Sequence, residues 1–290
     1  MTEQNSQHRP AGPAALRWQS QAVLLAIVPL AAIWVTLEGG TEWSARPSVI
    51  LMAAVISVVL AALVFVTHAA TLGAAITGAI FTAAFYQQTP GFHTALWPLL
   101  ALLVLTFGAT RFGRHRKEAL GIAEARRGRT ASQVAANLGV AALAGIPQIT
   151  GQFSDLFFSS PRFTLVPMLA AMAEATADTV SSELGQVLGG EPRLITNLRR
   201  VPAGTDGAVS LAGTLCGCVG AAAVVLVGLA VLPVNRRDVF IAFAAGIAGT
   251  LLDSVLGALP ERRGWLNNDA VNALSTLAAA ALAACALRWL

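Results

Sequence analysis

The chain has 290 residues, of which 56% are hydrophobic and only 12% charged, with a formal net charge of +4. An ordinary soluble domain carries about 25% charged residues, so the composition excludes that class and indicates an integral membrane protein. All three cysteines, Cys216, Cys218 and Cys285, fall inside apolar runs, which gives no basis for an extracellular disulfide framework.

In chain order, residues 1–20 are polar, contain Pro10 and Pro13, and read as a flexible tail. Runs apolar and long enough to cross a hydrocarbon core of about 30 Å, at about 1.5 Å per residue, follow near 22–38, 47–67, 70–86, 95–111, 131–150, 163–183, 207–233, 238–259 and 268–290. The expected fold is all-α, a single membrane-embedded helical bundle over 21–290 with about nine transmembrane helices. No small-x-small cleavage site follows the first run before Trp43 and Arg46, so that run is expected to stay as an anchor. Assigning the Lys and Arg residues to alternate sides puts fourteen on the N-terminal side and five, Arg46, Arg162, Arg236, Arg237 and Arg288, on the other. The positive-inside rule then predicts a multi-pass protein of the inner cell membrane, N-in and C-out. Membrane lipids are its expected surroundings and no nucleic-acid partner is expected.

Three helices starting on the cytoplasmic side carry capping signals. Thr130-Ala-Ser-Gln133 is a capping box, Thr205 or Asp206 precedes the seventh run, and Asn267 or Asn268 precedes the ninth. Helix N-termini present unpaired N–H groups and the positive end of the macrodipole, so a cluster of them suits an anion. Arg126, Arg127 and Arg129 precede the first start, and Arg199 and Arg200 stand shortly before the second. A phosphate-bearing ligand fits that pattern.

The helices ending on the same side supply the opposite charge. Glu174, Asp178, Ser181, Ser182 and Gly185 form one polar stripe on an apolar cylinder. Glu183 lies about 140° round from Asp178, which requires either a break in the helix or a separate partner, such as an arginine of the following loop. Asp253 lies among Gly246, Gly249, Thr250 and Gly257, a face of small residues that lets a neighbouring helix approach closely. Asn268, Asn272, Ser275 and Thr276 repeat the pattern in the last run. Asp206 is fixed by the turn through Pro202, Gly204 and Gly207. Carboxylates in an apolar span are costly and mark a functional site. Set opposite arginines and helix starts, they suit phosphoryl or nucleotidyl transfer, in which carboxylates hold Mg²⁺ and cations offset phosphate charge. No GxxxxGK[ST] occurs, and Lys117 is the only lysine, so a P-loop kinase is excluded.

The segments RGRTASQVAANLG, ADTVSSELG, PRLITNLRRVPAGTDGAVSLAGT, GTLLDSVLGA and NNDAVNALS resemble, in this order, the transmembrane protein 19 family of polytopic membrane proteins, from about Ala70 to the C-terminus. That family includes the plant phytyl-phosphate kinase, which converts an isoprenyl monophosphate to the diphosphate. Its Asp-Thr/Ser motifs are more distantly similar to those of phytol and dolichol kinases and CDP-lipid synthases, which use CTP. The resemblance implies a lipid phosphotransferase acting on an isoprenyl phosphate or isoprenoid alcohol with Mg²⁺ and a nucleoside triphosphate, CTP among the candidates. Carried over by residue, Asp178, Asp253 and Asp206 are expected to hold the metal, with Glu183 beside them in the catalytic set. Arg129, Arg193, Arg200, Gln133, Asn137, Asn268 and Asn272 are expected to bind phosphate, nucleotide or lipid head group. The link from Ala258 to Asn267 is shorter than the family pattern, which leaves the nucleotide open. Two other readings use the same carboxylates: a secondary transporter coupled through Glu174, Asp178 and Asp253, and a cytidylyltransferase of the CDP-lipid synthase kind.

Overall fold

The computed structural model describes residues 16–122, 128–147 and 160–289. Among them are ten α-helices: α1 (Arg17–Glu42), α2 (Pro47–Val66), α3 (Leu72–Gln88), α4 (Leu96–Arg111), the short α5 (Arg114–Ala119), α6 (Ala131–Ala144), α7 (Arg162–Leu188), α8 (Leu211–Val231), α9 (Arg236–Leu256) and α10 (Asn268–Trp289). Each of the nine apolar runs overlaps one of the nine longer helices. The fold is all-α, with one two-residue antiparallel ribbon, β1 (Arg193–Leu194) against β2 (Ala208–Val209), inside the loop between α7 and α8. Arg126 and Arg127, proposed beside the α6 start, lie outside the described residues.

Among the described residues, five helices are long and apolar enough to cross a membrane: α1, α2, α8, α9 with the turn that follows it, and α10. The remaining long helices depart from that pattern for physical reasons. At 14 residues α6 spans about 21 Å, and its stretch Ala135–Ala142 is buried by neighbours. With 27 residues α7 has ample length, but it carries Glu174, Asp178 and Glu183 and forms the axis of the bundle, with Leu165–Ala177 buried without interruption. Polar side chains are tolerated there because other helices, not lipid, surround them. Around this axis α2 turns Leu51, Val55, Val59 and Leu63 outward, and α8 exposes Leu211 and Val219.

Small residues set how closely α7 is approached. A Cβ at Gly217 of α8 would lie 2.8 Å from the Ala177 carbonyl oxygen, and one at Gly246 of α9 would lie 2.8 Å from the Ala173 Cβ. At Gly249 it would meet both the Glu174 side chain at 2.7 Å and Ala279 of α10 at 2.9 Å. These glycines let three backbones converge on α7.

The helices run alternately up and down. At one end, Arg111 Nη2 donates to the Thr67 carbonyl at 3.1 Å, and Gln19 Nε2 donates to the Trp265 carbonyl at 2.8 Å. At the other end, Gln88 bonds the Ala142 carbonyl at 3.0 Å, and Arg162 pairs with Asp238 at 2.9 Å. The first end gathers the starts of α3, α6, α8 and α10 and the ends of α2, α4, α7 and α9, and it holds the polar groups described next.

Candidate functional site

Helix capping builds the site's edges. Thr130 and Gln133 form the capping box anticipated from sequence, so the Gln133 side chain is engaged by the Thr130 N–H at 2.8 Å. Asn267 caps α10, its Oδ1 accepting from Ala270 N at 2.9 Å, while its amide ties back to Leu16 and Ser20. The seventh run is capped differently from expectation. Ser210, not Thr205 or Asp206, accepts from Gly213 N at 3.1 Å, because the β1–β2 ribbon delays the start of α8.

At the centre are three carboxylates from two helices. Asp178 of α7 and Asp253 of α9 line one cleft close enough for each charge to act on the other, and Glu174, one turn deeper on α7, feels both charges. Ser275 Oγ donates to Asp253 Oδ2 at 3.0 Å. The Asn272 amide stands 3.3 Å from Asn137 Oδ1 and, turned over, 3.3 Å from Asp253 Oδ2. Asn137 in turn donates to the Gln133 carbonyl at 2.8 Å. A polar chain therefore runs from α6 through α10 to α9. Arg129 reaches the same cluster from the start of α6, with Nη2 3.4 Å from Thr179 Oγ1 and its charge acting on Asp178. Glu174 Oε1 is buried and has no hydrogen-bond partner among the described residues, a cost that a ligand or ion would relieve.

Two glycines hold this edge in register. Gly128 (φ +74°) precedes Arg129, and a Cβ there would fall 2.5 Å from the Ala69 carbonyl carbon. The contact is a short parallel bridge in which Arg129 N donates to Ala69 O and Thr71 N donates to Arg129 O, each at 3.0 Å. Gly207 (φ +72°) lies against the segment after α9, where a Cβ would come 2.3 Å from Ala258 N. That segment, Gly257–Glu261, is a π-turn containing Pro260. Glu261, at the end of this segment, lines the same cleft as Asp206.

Between α7, α8, α9 and the 203–210 loop lies a cleft of about 270 Å³. Asp178, Asp206, Asp253, Glu261, Ser254 and Asn268 line it. Partial desolvation at the rim raises the Asp206 carboxyl above its ordinary range, and the Arg262 guanidinium opposes that shift. Local sequence pattern did not single out Glu261 or Arg262. Pro260 next to Glu261, ending an apolar run, was the available signal.

Three expected members stand elsewhere. α7 continues unbroken past Glu183 to Leu188, and Glu183 pairs with Lys117, a side chain 1% exposed that also donates to the Ala109 and Thr110 carbonyls at 2.9 and 3.1 Å. The partner is thus the chain's single lysine and not a loop arginine, and the pair clamps α5 onto α7. Arg193 donates to the Leu198 carbonyl at 3.0 Å, and Arg200 pairs with Glu191 at the surface. Both brace the loop and neither lines the cleft. Among the described residues no three His, Cys, Asp or Glu side chains are arranged around a common metal position. The donor set nonetheless fits Mg²⁺, which takes one or two carboxylates and fills its other positions with water and substrate phosphates.

The model of the integral membrane protein family DUF92 matches residues 55–280. The chain belongs to DUF92. The DUF92 region begins inside α2, somewhat before Ala70, and takes in every residue of the cleft. Related proteins include an uncharacterized membrane protein of Methanocaldococcus jannaschii, 37% identical over 62% of this chain and 70% of its own length. A second, from Synechocystis, is 33% identical over 64% of this chain and 70% of its own length. The chloroplastic protein VTE6 of Arabidopsis thaliana is 32% identical over 60% of this chain and 53% of its own length. No solved structure matches.

Proposed function

We propose that this DUF92 protein is a lipid phosphotransferase that moves the γ-phosphoryl group of a nucleoside triphosphate, CTP being the first candidate, onto an isoprenyl monophosphate. The observation that supports this reading is the approach of Asp178 and Asp253 from two helices beside Arg129 and a polar cleft. The 32% identity to VTE6 supports the same chemistry, as does the resemblance of the sequence motifs to the transmembrane protein 19 family, which includes the plant phytyl-phosphate kinase, and more distantly to dolichol kinases.

A non-bridging oxygen of the acceptor phosphate attacks the γ-phosphorus. The new P–O bond forms as the bond from the γ-phosphorus to the β,γ-bridging oxygen breaks, so the nucleoside diphosphate leaves with that electron pair. A dianionic acceptor needs no general base. Asp178 and Asp253, with Asp206 next, would hold Mg²⁺, which neutralises phosphate charge when bound. Arg129 orients the acceptor phosphate across from the nucleotide, and its guanidinium stabilises charge on the equatorial oxygens. Asn268 at the cleft mouth and Asn272 behind Asp253 contribute hydrogen bonds.

The basic residues support a cytoplasmic placement of this end. Eleven described Lys and Arg residues stand at it and five at the other, which by the positive-inside rule orients the cleft to the cytoplasm of the cell membrane. The test is mass analysis of products from purified protein given Mg²⁺, a nucleoside triphosphate and a panel of isoprenols and isoprenyl phosphates. Isoprenyl diphosphate with nucleoside diphosphate is the expected outcome. Pyrophosphate release would instead identify a cytidylyltransferase, and intact lipid and nucleotide under all conditions would contradict the reading.

A further inference from the structure

A second cavity, of about 300 Å³, lies between α2, α3, α4 and α6, with Arg129 in its lining. Its walls are aliphatic and aromatic, with Leu60, Val64, Leu103 and Phe107 among them, and no Asp or Glu lines it among the described residues. Its polar end carries Arg111, Arg114 and Arg129. Arg111 is held there by the Thr67 carbonyl and by the Phe107 ring, 4.1 Å from its guanidinium carbon. The Arg129 backbone is held by the bridge to Ala69 and Thr71, and its Nη2 donates to Thr179 Oγ1 at 3.4 Å. Apolar walls leading to fixed guanidinium groups complement an amphiphile with one hydrocarbon chain and a compact anionic head.

The position of this groove is as informative as its lining. Arg129 and Asn137 line it, and these two residues also reach the carboxylate cluster, Arg129 through Thr179 and Asp178, and Asn137 through Asn272. The groove and the polar cleft have no lining residue in common, and Arg129 and Asn137 link the first to the carboxylates of the second.

We infer that the groove between α2, α3, α4 and α6 is the acceptor-tail site, holding the chain of an isoprenyl monophosphate with its phosphate at Arg111 and Arg129. The inference rests on the phosphotransferase reading for the identity of the acceptor, and it extends that reading by assigning the tail to helices outside the carboxylate cleft. One narrow groove accommodates one chain, whereas a bilayer phospholipid brings two chains and a phosphodiester. The tail enters from the lipid side past Leu63 and Val104, both exposed, and the head arrives at the wall facing the nucleotide.

Gly78 of α3 provides the means of testing this, because it lines the groove and a Cβ there meets no atom within 4 Å. A larger side chain at this position extends into the groove and also favours the helix over glycine. The experiment uses the full chain in nanodiscs and a geranylgeranyl monophosphate probe with a diazirine on its terminal isoprene unit, with labelled peptides mapped by mass spectrometry. Labels are expected on the groove-facing residues of α2 and α4. Competition by unlabelled geranylgeranyl phosphate should be at least about tenfold more effective than by the neutral alcohol. Gly78→Trp should cut groove labelling by about tenfold, since several methylene burials are lost. Gly78→Leu serves as the milder variant, with circular dichroism reporting the fold of both. Labels outside the groove, labelling unchanged in both well-folded variants, or equal groove labelling by a diazirine phosphatidylcholine would each overturn the inference. Groove labelling without any phosphoryl transfer would refute the phosphotransferase reading and leave the groove assignment standing. Transfer without groove labelling would do the reverse.

Discussion

Helices α7 and α9 touch at both ends, and the two ends handle buried carboxylate in opposite ways. At one end Asp238, 2% exposed, is matched by Arg162 at 2.9 Å and accepts the Asn235 N–H in a capping box. At the other, Glu174, Asp178 and Asp253 crowd together beside Arg129. A matched pair holds helices together. Clustered like charges oppose folding and persist where a ligand or cation uses them. Burial alone therefore does not mark a functional carboxylate; its company does.

Asp178→Asn and Asp253→Asn should each lower phosphoryl transfer by at least about a hundredfold without lowering thermal stability in nanodiscs. Asp238→Asn should behave oppositely, costing about 1–3 kcal/mol of stability while the folded fraction retains its turnover. A stable, inactive Asp238→Asn protein would break the contrast between the two ends. The Lys117–Glu183 clamp belongs with the structural end: Lys117→Met or Glu183→Gln alone should destabilise by about 3 kcal/mol, because one buried charge loses its partner. The double Lys117→Met, Glu183→Met variant should recover much of that loss, read by thermal unfolding, whereas a catalytic Glu183 would leave the double variant stable but inactive.

Smaller effects test the frame of the site. Gly128→Ala should reduce turnover by about tenfold with little change in nucleotide affinity, since a Cβ cannot fit against Ala69 and Arg129 must move. The smallest effects belong to the loop. Arg193→Ala and Arg200→Ala should stay within about 0.5 kcal/mol in stability and change activity about twofold or less. A large loss in either would return the loop arginines to the phosphate site.

Much of this arrangement was legible in sequence because it is written in local pattern. Hydrophobic runs placed the helices, Thr130 and Gln133 announced their capping box, and the glycines flanking Asp253 signalled close packing. Contacts that join distant segments were not legible. Glu183 finds Lys117 across 66 residues, and no helical spacing encodes that pairing. The arginines of the 191–201 loop matched the expected phosphate pattern, but Leu198 at φ +56° and the β1–β2 ribbon turn them onto their own loop. Glu261 lines the cleft from a π-helical turn containing Pro260, which α-helical periodicity does not anticipate.

The central claim, that Asp178 and Asp253 form a phosphoryl-transfer site, is tested most directly by following label from γ-labelled CTP to geranylgeranyl phosphate in nanodiscs with Mg²⁺. The account predicts label in isoprenyl diphosphate for the wild-type protein and none for a folded Asp178→Asn, Asp253→Asn double variant. Equal transfer by both proteins, or label that never leaves the nucleotide with any nucleoside triphosphate, would contradict it.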